Sequence, residues 1–492
     1  MKKSGGKAPA GKPRAAGGNC IVGQGEKIAL VSLGCPKNLV DLQIISAALA
    51  RAGFDVGVQQ DEADAILVNT CAFIEDARRE AIGAIAEACA AKADPALPCR
   101  AVIVSGCLPQ RYRDAVFQAC PDVDATLGVD DLERAPETVR AALDRAGRGN
   151  DAAAAGGTPS GAPVPCVSPG LSKALFDPVD PAFTLTPGPF AYVKIAEGCR
   201  HACAFCAIPG IRGRLRSRSV ENIVAEVRAL LKAGKREIDL VAQDVTSYGA
   251  DFARGGRLVE LLEALEALPG EFRVRLLYGH PAHCTDELLD FIAGSEKILP
   301  YFDIPVQHAS AAVLRRMGRA DTVSAVPAMA ERIRSRVPGA VLRTTCLVGF
   351  PGETAADFAE LLSFVREARF DHLGAFVFSP EEGTRAFSMD AQVPGRTARD
   401  RRRRLMRAQA EIVREKLDSL KGSEVEVLME TPPSHRSGPW IGRAERQAPD
   451  GIDGVTYVEK APAKTAVGSF FRCRVTGHTD YDLVAEAIAP ST

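Results

Sequence analysis

The pattern of hydrophobic and polar positions changes several times along the chain. Between residues 27 and 147, short apolar runs alternate with helical stretches, and the runs at residues 28–33, 65–69 and 101–105 are apolar almost throughout. Nearly continuous apolar runs are typical of strands that are buried on both faces of a parallel sheet. The pattern therefore predicts an N-terminal parallel α/β sheet domain over residues 27–147.

Two segments show no such pattern. Residues 1–26 are rich in glycine, alanine and lysine, and residues 148–189 carry repeated prolines and little periodicity. A segment that cannot bury enough apolar surface stays disordered, and a stretch rich in proline and glycine typically connects folded domains. We therefore predict a disordered tail over residues 1–26 and a linker over residues 148–189.

Strand-like runs return on a larger scale after the predicted linker. Six of them lie at residues 192–196, 237–242, 273–277, 301–304, 342–348 and 372–378, with helical patterns between them. Successive strand–helix units predict a partial or complete (βα) barrel over residues 190–420, whose ligands would lie at the C-terminal ends of the strands. Short alternating runs then predict a small all-β barrel over residues 421–491, so the fold class is α/β multidomain.

Composition narrows the setting of these domains. The 492 residues carry a formal net charge of −1, which gives no global attraction for nucleic acid, although residues 396–407 include seven arginines. No apolar run is long enough to span a membrane, and no apolar stretch follows the basic N-terminus, so we expect a cytoplasmic protein without a membrane partner. Fourteen cysteines in a reducing compartment favour metal binding over a disulfide framework.

One group of cysteines is closely spaced. Cys199, Cys203 and Cys206 form a CxxxCxxC motif just after the first strand of the predicted barrel. Three thiolates without a nearby fourth suit a [4Fe–4S] cluster that keeps one iron open for a small molecule. The alternatives are a zinc site, which wants four ligands, and a redox pair, which would not need Cys199. His201 is interpreted as a surface residue rather than as a fourth ligand.

A second group is recognised by regular spacing. Cys35, Cys71 and Cys107 follow one another at intervals of 36 residues, and each closes an apolar run in the same way. If the three strands are neighbours in a parallel sheet, their thiols converge at the edge where open α/β sheets bind ligands. Buried free cysteine is the alternative, but the repeated placement favours a second three-cysteine metal site.

The CxxxCxxC motif resembles that of the radical S-adenosylmethionine (SAM) superfamily. Together with the motifs at residues 32–41, 206–213, 302–308 and 379–384, it makes the chain similar to the methylthiotransferases, with an N-terminal domain, a radical SAM core and a TRAM domain. Within that family the motifs resemble the RimO-type branch, which methylthiolates an aspartate β-carbon of ribosomal protein uS12.

The resemblance implies cofactors and partners. It implies two [4Fe–4S] clusters and two uses of SAM, one for methylating sulfur at the Cys35/Cys71/Cys107 cluster and one for making a radical at the other cluster. The implied partners are uS12, free or in the small ribosomal subunit, and an electron donor such as flavodoxin or ferredoxin. No catalytic side chain is expected beyond the cluster ligands. The alternatives are a tRNA adenosine methylthiotransferase and a non-catalytic iron–sulfur RNA-binding protein.

Three further residues are candidates for SAM binding. Gln243 ends the second strand of the predicted barrel and would hydrogen-bond SAM, whereas simple loop capping is the alternative. Gly349 and Glu353 follow the fifth strand in a turn that would bring backbone close to SAM, or would only lead into the next helix.

A contact with ribosomal RNA is a further possibility. It rests on the basic run at residues 401–404 and on Trp440, Arg443 and Arg446 in the terminal β-barrel, because charge interleaved with aromatic residues is typical of barrels that bind nucleic acid. A solvated helix face is the alternative for the basic run. For the terminal β-barrel, the resemblance implies docking of uS12 as the preferred role.

Overall fold

The computed structural model describes residues 25–154, 164–167, 180–255, 258–435 and 438–491. The chain divides into two compact units, Met1–Leu185 and Thr186–Thr492. Almost all of the predicted tail, residues 1–24, lies outside the described residues. In the described part of the chain, no helix combines the length and the apolar character that crossing a membrane requires.

The first unit is built on a six-stranded parallel sheet with the strand order β2-β1-β3-β4-β5-β6. Its strands are β1 (Lys27–Ser32), β2 (Asp55–Val56), β3 (Ala65–Thr70), β4 (Ala101–Gly106), β5 (Ala125–Leu127) and β6 (Val164–Cys166). Its helices are α1 (Pro36–Arg51), α2 (Glu75–Ala93), α3 (Cys107–Tyr112), α4 (Ala115–Ala119) and α5 (Ala135–Ala154). Every residue of β3 and β4 is buried, as expected for the centre of a parallel sheet covered on both faces.

The segment predicted as a linker is partly folded. Helix α5 continues to Ala154, and Val164–Cys166 pairs with β5 as the sixth strand of the sheet. The strand has only three residues, and its middle residue is Pro165, which a sheet accepts at its edge. A strand so short, interrupted by proline, leaves no alternating pattern that could be read in the sequence. The structure therefore differs from a continuous linker over residues 148–189.

The second unit begins with a six-stranded parallel sheet of order β14-β13-β12-β11-β10-β7. These strands are β7 (Phe190–Lys194), β10 (Glu237–Val241), β11 (Arg273–Leu277), β12 (Ile298–Asp303), β13 (Val341–Val348) and β14 (His372–Val377), while β8 (Ala196–Glu197) and β9 (Arg216–Ser217) form a small ribbon. The helices of this region are α6 (Ile208–Arg212), α7 (Val220–Lys232), α8 (Leu258–Glu266), α9 (Asp286–Gly294), α10 (Ala311–Arg316), α11 (Ala325–Arg336), α12 (Ala355–Ala368) and α13 (Gly395–Ser419). The six strands match the six predicted runs, and the sheet keeps two edges, as in a partial (βα) barrel.

A closed five-stranded barrel follows, with the strand order β15-β16-β17-β19-β18. Its strands are β15 (Glu424–Thr431), β16 (Trp440–Ala444), β17 (Thr456–Glu459), β18 (Phe470–His478) and β19 (Leu483–Pro490). Helix α13 joins the barrel to the parallel sheet: Leu405 and Ile412 pack in the core of the sheet, and Val413 and Leu417 pack in the core of the barrel. The predicted all-β barrel is confirmed.

A buried ionic network links the barrel to the N-terminal ends of the parallel strands. Glu237 opens β10 and lies beside Arg273 of β11, which donates to its carboxylate. Arg443 of β16, only 1% exposed, donates to the same carboxylate at 2.6 Å. Arg446 pairs with Asp371 at 3.0 Å. The interpretation of Arg443 and Arg446 as an RNA-binding surface is therefore wrong, because both guanidinium groups are turned into the protein.

Candidate metal centres

The first cysteine triplet lies on the loop between β8 and α6, after the C-terminal end of β7. The loop is pinned at its start, where the Cys199 N–H donates to the Gly213 carbonyl at 3.0 Å. Gly198 has a φ of +73°, and a Cβ there would lie 2.1 Å from the Arg214 carbonyl oxygen, so only glycine fits. As residues, all three cysteines have intermediate exposure.

Hydrogen-bond donors surround these sulfurs. The His201 N–H lies 3.5 Å from Cys199 Sγ, and Arg319 Nη1 lies 3.8 Å from Cys203 Sγ. Burial raises the pKa of Cys199 to about 11 and that of Cys206 to about 12, so the thiols hold their protons until a metal displaces them. Three thiols on one loop, with N–H donors near two of the sulfurs, fit a [4Fe–4S] cluster held by three protein ligands.

A buried carboxylate fixes the base of this loop. Glu197 precedes the motif and accepts hydrogen bonds from Lys194 at 2.8 Å and from Arg212 at 3.1 Å. Burial opposes ionisation, but the two cations outweigh it and hold the pKa of Glu197 well below its usual range. Because Lys194 ends β7 and Arg212 ends α6, one carboxylate joins the elements on both sides of the loop. No local pattern in the sequence indicates this network.

Two turns hold the middle of the loop. The Ala204 N–H donates to the Met317 carbonyl at 2.8 Å, and the Ala386 N–H donates to the Ala204 carbonyl at 2.8 Å. A Cβ on Gly318 would lie 2.9 Å from the Ala202 carbonyl oxygen, so the turn after α10 contacts the loop closely. Backbone contacts of this kind fix the positions of the thiols independently of the side chains around them.

Of the three SAM candidates, Gln243 lies closest to this constellation. Its Nε2 donates to Glu197 Oε1 at 3.3 Å. Its Oε1 is buried and has no hydrogen-bond partner among the residues that the structure describes. Gln243 thus offers an unused acceptor next to the base of the cysteine loop.

Gly349 and Glu353 have structural partners of their own. Glu353 accepts from the Gly349 and Phe350 N–H groups and pairs with Arg401 at 3.0 Å. Gly349 has a φ of +79°, and a Cβ there would lie 2.4 Å from the Cβ of Ala398 on α13. Thr354 then caps α12 in a capping box. Gly349 therefore allows its turn to lie close to helix α13, and this contact is the close approach that the structure shows for Gly349.

A stack of imidazole rings lies beside Cys199. The rings of His201 and His280 are 4.1 Å apart and 11° from parallel, and His283 stacks on His201 at 5.2 Å. Asp244 anchors the stack by accepting from His201 at 2.7 Å. One nitrogen from each of the three rings lies within 4.8 Å of the others, but the nearly parallel planes of His201 and His280 do not direct their lone pairs at one shared point. The interpretation of His201 as a surface residue is wrong, since its ring is largely buried.

The second cysteine triplet lies at one edge of the N-terminal sheet. Cys35, Cys71 and Cys107 follow β1, β3 and β4, and these strands are direct neighbours with parallel register. A Cβ on Gly34 would lie 2.8 Å from the Cβ of Cys71, which shows how closely the first loop approaches the second. The expectation that the three strands adjoin is confirmed, and their thiols are gathered at a single sheet edge.

Asn38 occupies the space between these thiols. Its Oδ1 lies 3.9 Å from Cys35 Sγ and 3.6 Å from Cys107 Sγ. Its Nδ2 donates to the Thr70 carbonyl at 2.9 Å, and its own carbonyl accepts from Asn69 Nδ2 at 2.7 Å. Asn38 was not among the predicted site residues. Its position in the first turn of α1, three residues after Cys35, is a signal that could have indicated a side chain near the thiols.

Three family models match successive parts of the chain. The chain matches the model of the uncharacterized protein family UPF0004 over residues 27–128, the radical SAM superfamily over residues 193–365 and the TRAM domain over residues 422–488. Solved structures are similar at the level of fold: the radical SAM methyltransferase TsrM from Kitasatospora setae is 15% identical, with 70% of each chain covered and a TM-score of 0.47. That similarity carries no information on function.

Curated relatives cover nearly the whole chain. Three proteins named ribosomal protein uS12 methylthiotransferase RimO, from Trichlorobacter lovleyi, Geobacter sulfurreducens and Syntrophus aciditrophicus, are 40%, 40% and 42% identical. The alignments span 94% of this chain and 98%, 99% and 98% of those relatives. The chain is thus a radical SAM enzyme, a transferase with SAM and [4Fe–4S] clusters as cofactors. It belongs to the RimO family of methylthiotransferases.

Proposed function

We propose that this chain adds a methylthio group to the β-carbon of an aspartate in ribosomal protein uS12, either free or in the small ribosomal subunit. The observation that carries the proposal is the presence of two separate three-cysteine sites, one on the loop after β7 and one at the edge of the N-terminal sheet. Making a radical requires one such site. Attaching sulfur to carbon requires the second site as well.

The proposed roles of the residues follow from the two sites. Cys199, Cys203 and Cys206 would hold the cluster that works with SAM, and Cys35, Cys71 and Cys107 would hold the cluster that carries sulfur. When bound, these groups supply a radical that removes hydrogen from carbon and a methylthio group that replaces it. Removal of a hydrogen atom requires no general base, so no side chain is proposed as catalytic beyond the six cluster ligands.

Gln243 is the side chain proposed to contact SAM most directly. Its buried, unused Oε1 would accept a hydrogen bond from the amino group or ribose of SAM, while its Nε2 stays on Glu197. Gly349 and Glu353 belong to the proposed SAM site as parts of the turn after β13. Their contribution would be to shape that turn, because the Glu353 carboxylate is already engaged by two backbone N–H groups and Arg401.

Partners and location are also part of the proposal. We place the protein in the cytoplasm, with flavodoxin or ferredoxin as the electron donor. A ribosomal RNA contact would use the arginines of α13 that remain exposed, among them Arg399, Arg403 and Arg407. Arg401 is excluded from that surface because it is buried against Glu353. The TRAM domain, a module suited to RNA, lies directly after this helix.

Mass spectrometry of a deletion strain tests the proposed substrate. We expect uS12 from the deletion strain to lack the mass of one methylthio group, and expression of the chain to restore it. A Cys203→Ala variant should not restore it, whereas Cys473→Ala, which alters a buried thiol of the terminal barrel, should. The proposal is wrong if uS12 keeps its methylthio group in the deletion strain, or if the loss appears in tRNA instead.

A further inference from the structure

One buried arginine is oriented towards the radical-site loop. Arg319 lies in the turn after α10 and is 6% exposed. Its backbone N–H donates to the Leu314 carbonyl at 2.9 Å, and its carbonyl accepts from Thr322 Oγ1 at 2.8 Å. The same turn contacts the cysteine loop through Met317 and Gly318. The position of the guanidinium is therefore determined by backbone contacts on both sides.

The contacts of this guanidinium are unusual for a buried charge. Its Nη1 lies 3.8 Å from Cys203 Sγ, and its Nη2 donates to the Pro305 carbonyl at 3.1 Å. Its Nε has no hydrogen-bond partner, and no carboxylate among the described residues pairs with it. A cation that is removed from water without an anion loses hydration free energy that its neighbours do not replace.

The other buried arginines of the described chain show the contrast. Each of them pairs with a carboxylate: Arg212 with Glu197, Arg218 with Glu226, Arg273, Arg275 and Arg443 with Glu237, and Arg401 with Glu353. Arg319 alone is directed at a sulfur. The fold therefore supplies every buried guanidinium with an anion except the one at the cysteine loop, where the anion would be a cluster with its thiolates.

We propose that Arg319 is the counter-ion of the cluster at Cys199, Cys203 and Cys206, and that it raises the reduction potential of that cluster. This inference rests on the proposed function, because it assumes that these cysteines hold a cluster. Reduction adds one negative charge, so a fixed cation stabilises the reduced form more than the oxidised form. Net charge and hydrogen bonds to sulfur are among the factors that set cluster potentials. Arg319 is thus a positioning residue that acts through Cys203.

Redox titration of a single-cluster protein tests this role. The full chain carrying Cys35→Ala, Cys71→Ala and Cys107→Ala is reconstituted anaerobically, and the reduced cluster is followed by electron paramagnetic resonance without SAM. In this background, we expect Arg319→Gln to keep its iron and to shift the midpoint potential to more negative values. Arg319→Lys retains the charge and should shift it less. Arg385→Gln is the matched control, since Arg385 contacts the same loop at the Ala202 carbonyl.

The outcomes separate this inference from the proposed function. If the parent protein binds no iron at these cysteines, the proposed function fails. If Arg319→Gln binds iron normally with an unchanged potential, only the role of Arg319 is overturned. If Arg319→Gln loses iron, the result supports the inference when Arg319→Lys retains iron. If Arg319→Gln and Arg319→Lys both lose iron while Arg385→Gln keeps it, the inference is contradicted. The positive charge retained in Arg319→Lys should have been enough to hold the cluster.

Discussion

Glu197 is buried directly before the loop of Cys199, with Lys194 and Arg212 as its two cationic partners. Asn38 has a similar place at the other triplet, between the thiols of Cys35 and Cys107. Neither residue carries chemistry in the proposed reaction. Both side chains are buried polar groups. Their contribution to stability therefore depends on hydrogen-bond and ion-pair partners, and it is lost when one partner is changed.

Replacing Glu197 by glutamine removes the carboxylate that Lys194 and Arg212 share. Breaking a buried ion pair from one side costs about 3–5 kcal/mol, so we expect Glu197→Gln to unfold at a clearly lower temperature and to bind less iron at the radical site. Asp290→Asn, which alters an exposed pair with Arg336, should leave thermal unfolding nearly unchanged. Equal stability of the two variants would contradict this account.

The low pKa of Glu197 also gives a pH dependence with a definite sign. The folded-state pKa is lowered, so the stabilisation by this network is fully present above the ordinary glutamate pKa of about 4.3. It is lost as the pH falls below that value towards the folded-state pKa. When the pH of thermal unfolding is lowered from 5 to 3, the wild-type protein should therefore lose more stability than Glu197→Gln. If the stability difference between the wild-type protein and Glu197→Gln stays constant with pH, the low pKa assigned to Glu197 is wrong.

Asn38→Asp tests the residue between the N-terminal thiols. A carboxylate at 3.6–3.9 Å from two sulfurs would repel the thiolates that a cluster requires, and it would lose the donor to the Thr70 carbonyl. We expect about half of the iron to be lost from the reconstituted protein, with the cluster at the other triplet retained. Asn69→Asp is the control for a buried charge on the adjacent strand β3. A full iron content in Asn38→Asp would contradict the proposed site.

At the scale of elements, the apolar runs and the spacing of the cysteines were sufficient to predict much of the structure. The six runs after residue 190 became the six parallel strands, and the 36-residue interval placed three cysteines on adjacent strands. The pattern did not reveal β6 or the partners of buried charges. Arg443 and Glu237 are 206 residues apart in sequence, and nothing local in either segment indicates that they meet. An exposed and a buried arginine have the same local sequence signal.

The two cysteine sites belong to different elements and should be lost separately. Cys71→Ala should remove about half of the iron, about four of eight atoms, and should still release 5′-deoxyadenosine from SAM with dithionite. Cys203→Ala should remove the other half and abolish that release. Cys89→Ala, which changes a partly buried cysteine outside both triplets, should retain all of the iron. Loss of 5′-deoxyadenosine release in Cys71→Ala would mean that the two sites are not separate.

At the level of the whole chain, buried ion pairs and helix α13 link the terminal barrel to the parallel sheet of the second unit. Glu237 is shared by three arginines, two from the neighbouring strand β11 and one from the barrel. Glu237→Gln would leave Arg273, Arg275 and Arg443 buried without this anion. We expect a loss of about 3–5 kcal/mol, together with faster proteolysis at the junction near Lys421. Unchanged proteolysis would show that the barrel is held by its apolar contacts with α13 alone.

Two cysteine sites on one chain are proposed to convert an aspartate of uS12 into its methylthio form. The most direct test incubates the anaerobically reconstituted chain with SAM, dithionite and purified uS12, followed by mass spectrometry of uS12. The account predicts that one aspartate gains the mass of a methylthio group with the wild-type chain. With Cys71→Ala, it predicts 5′-deoxyadenosine release but no modification. A wild-type protein with full iron content that releases 5′-deoxyadenosine and leaves both free and subunit-bound uS12 unmodified would contradict it.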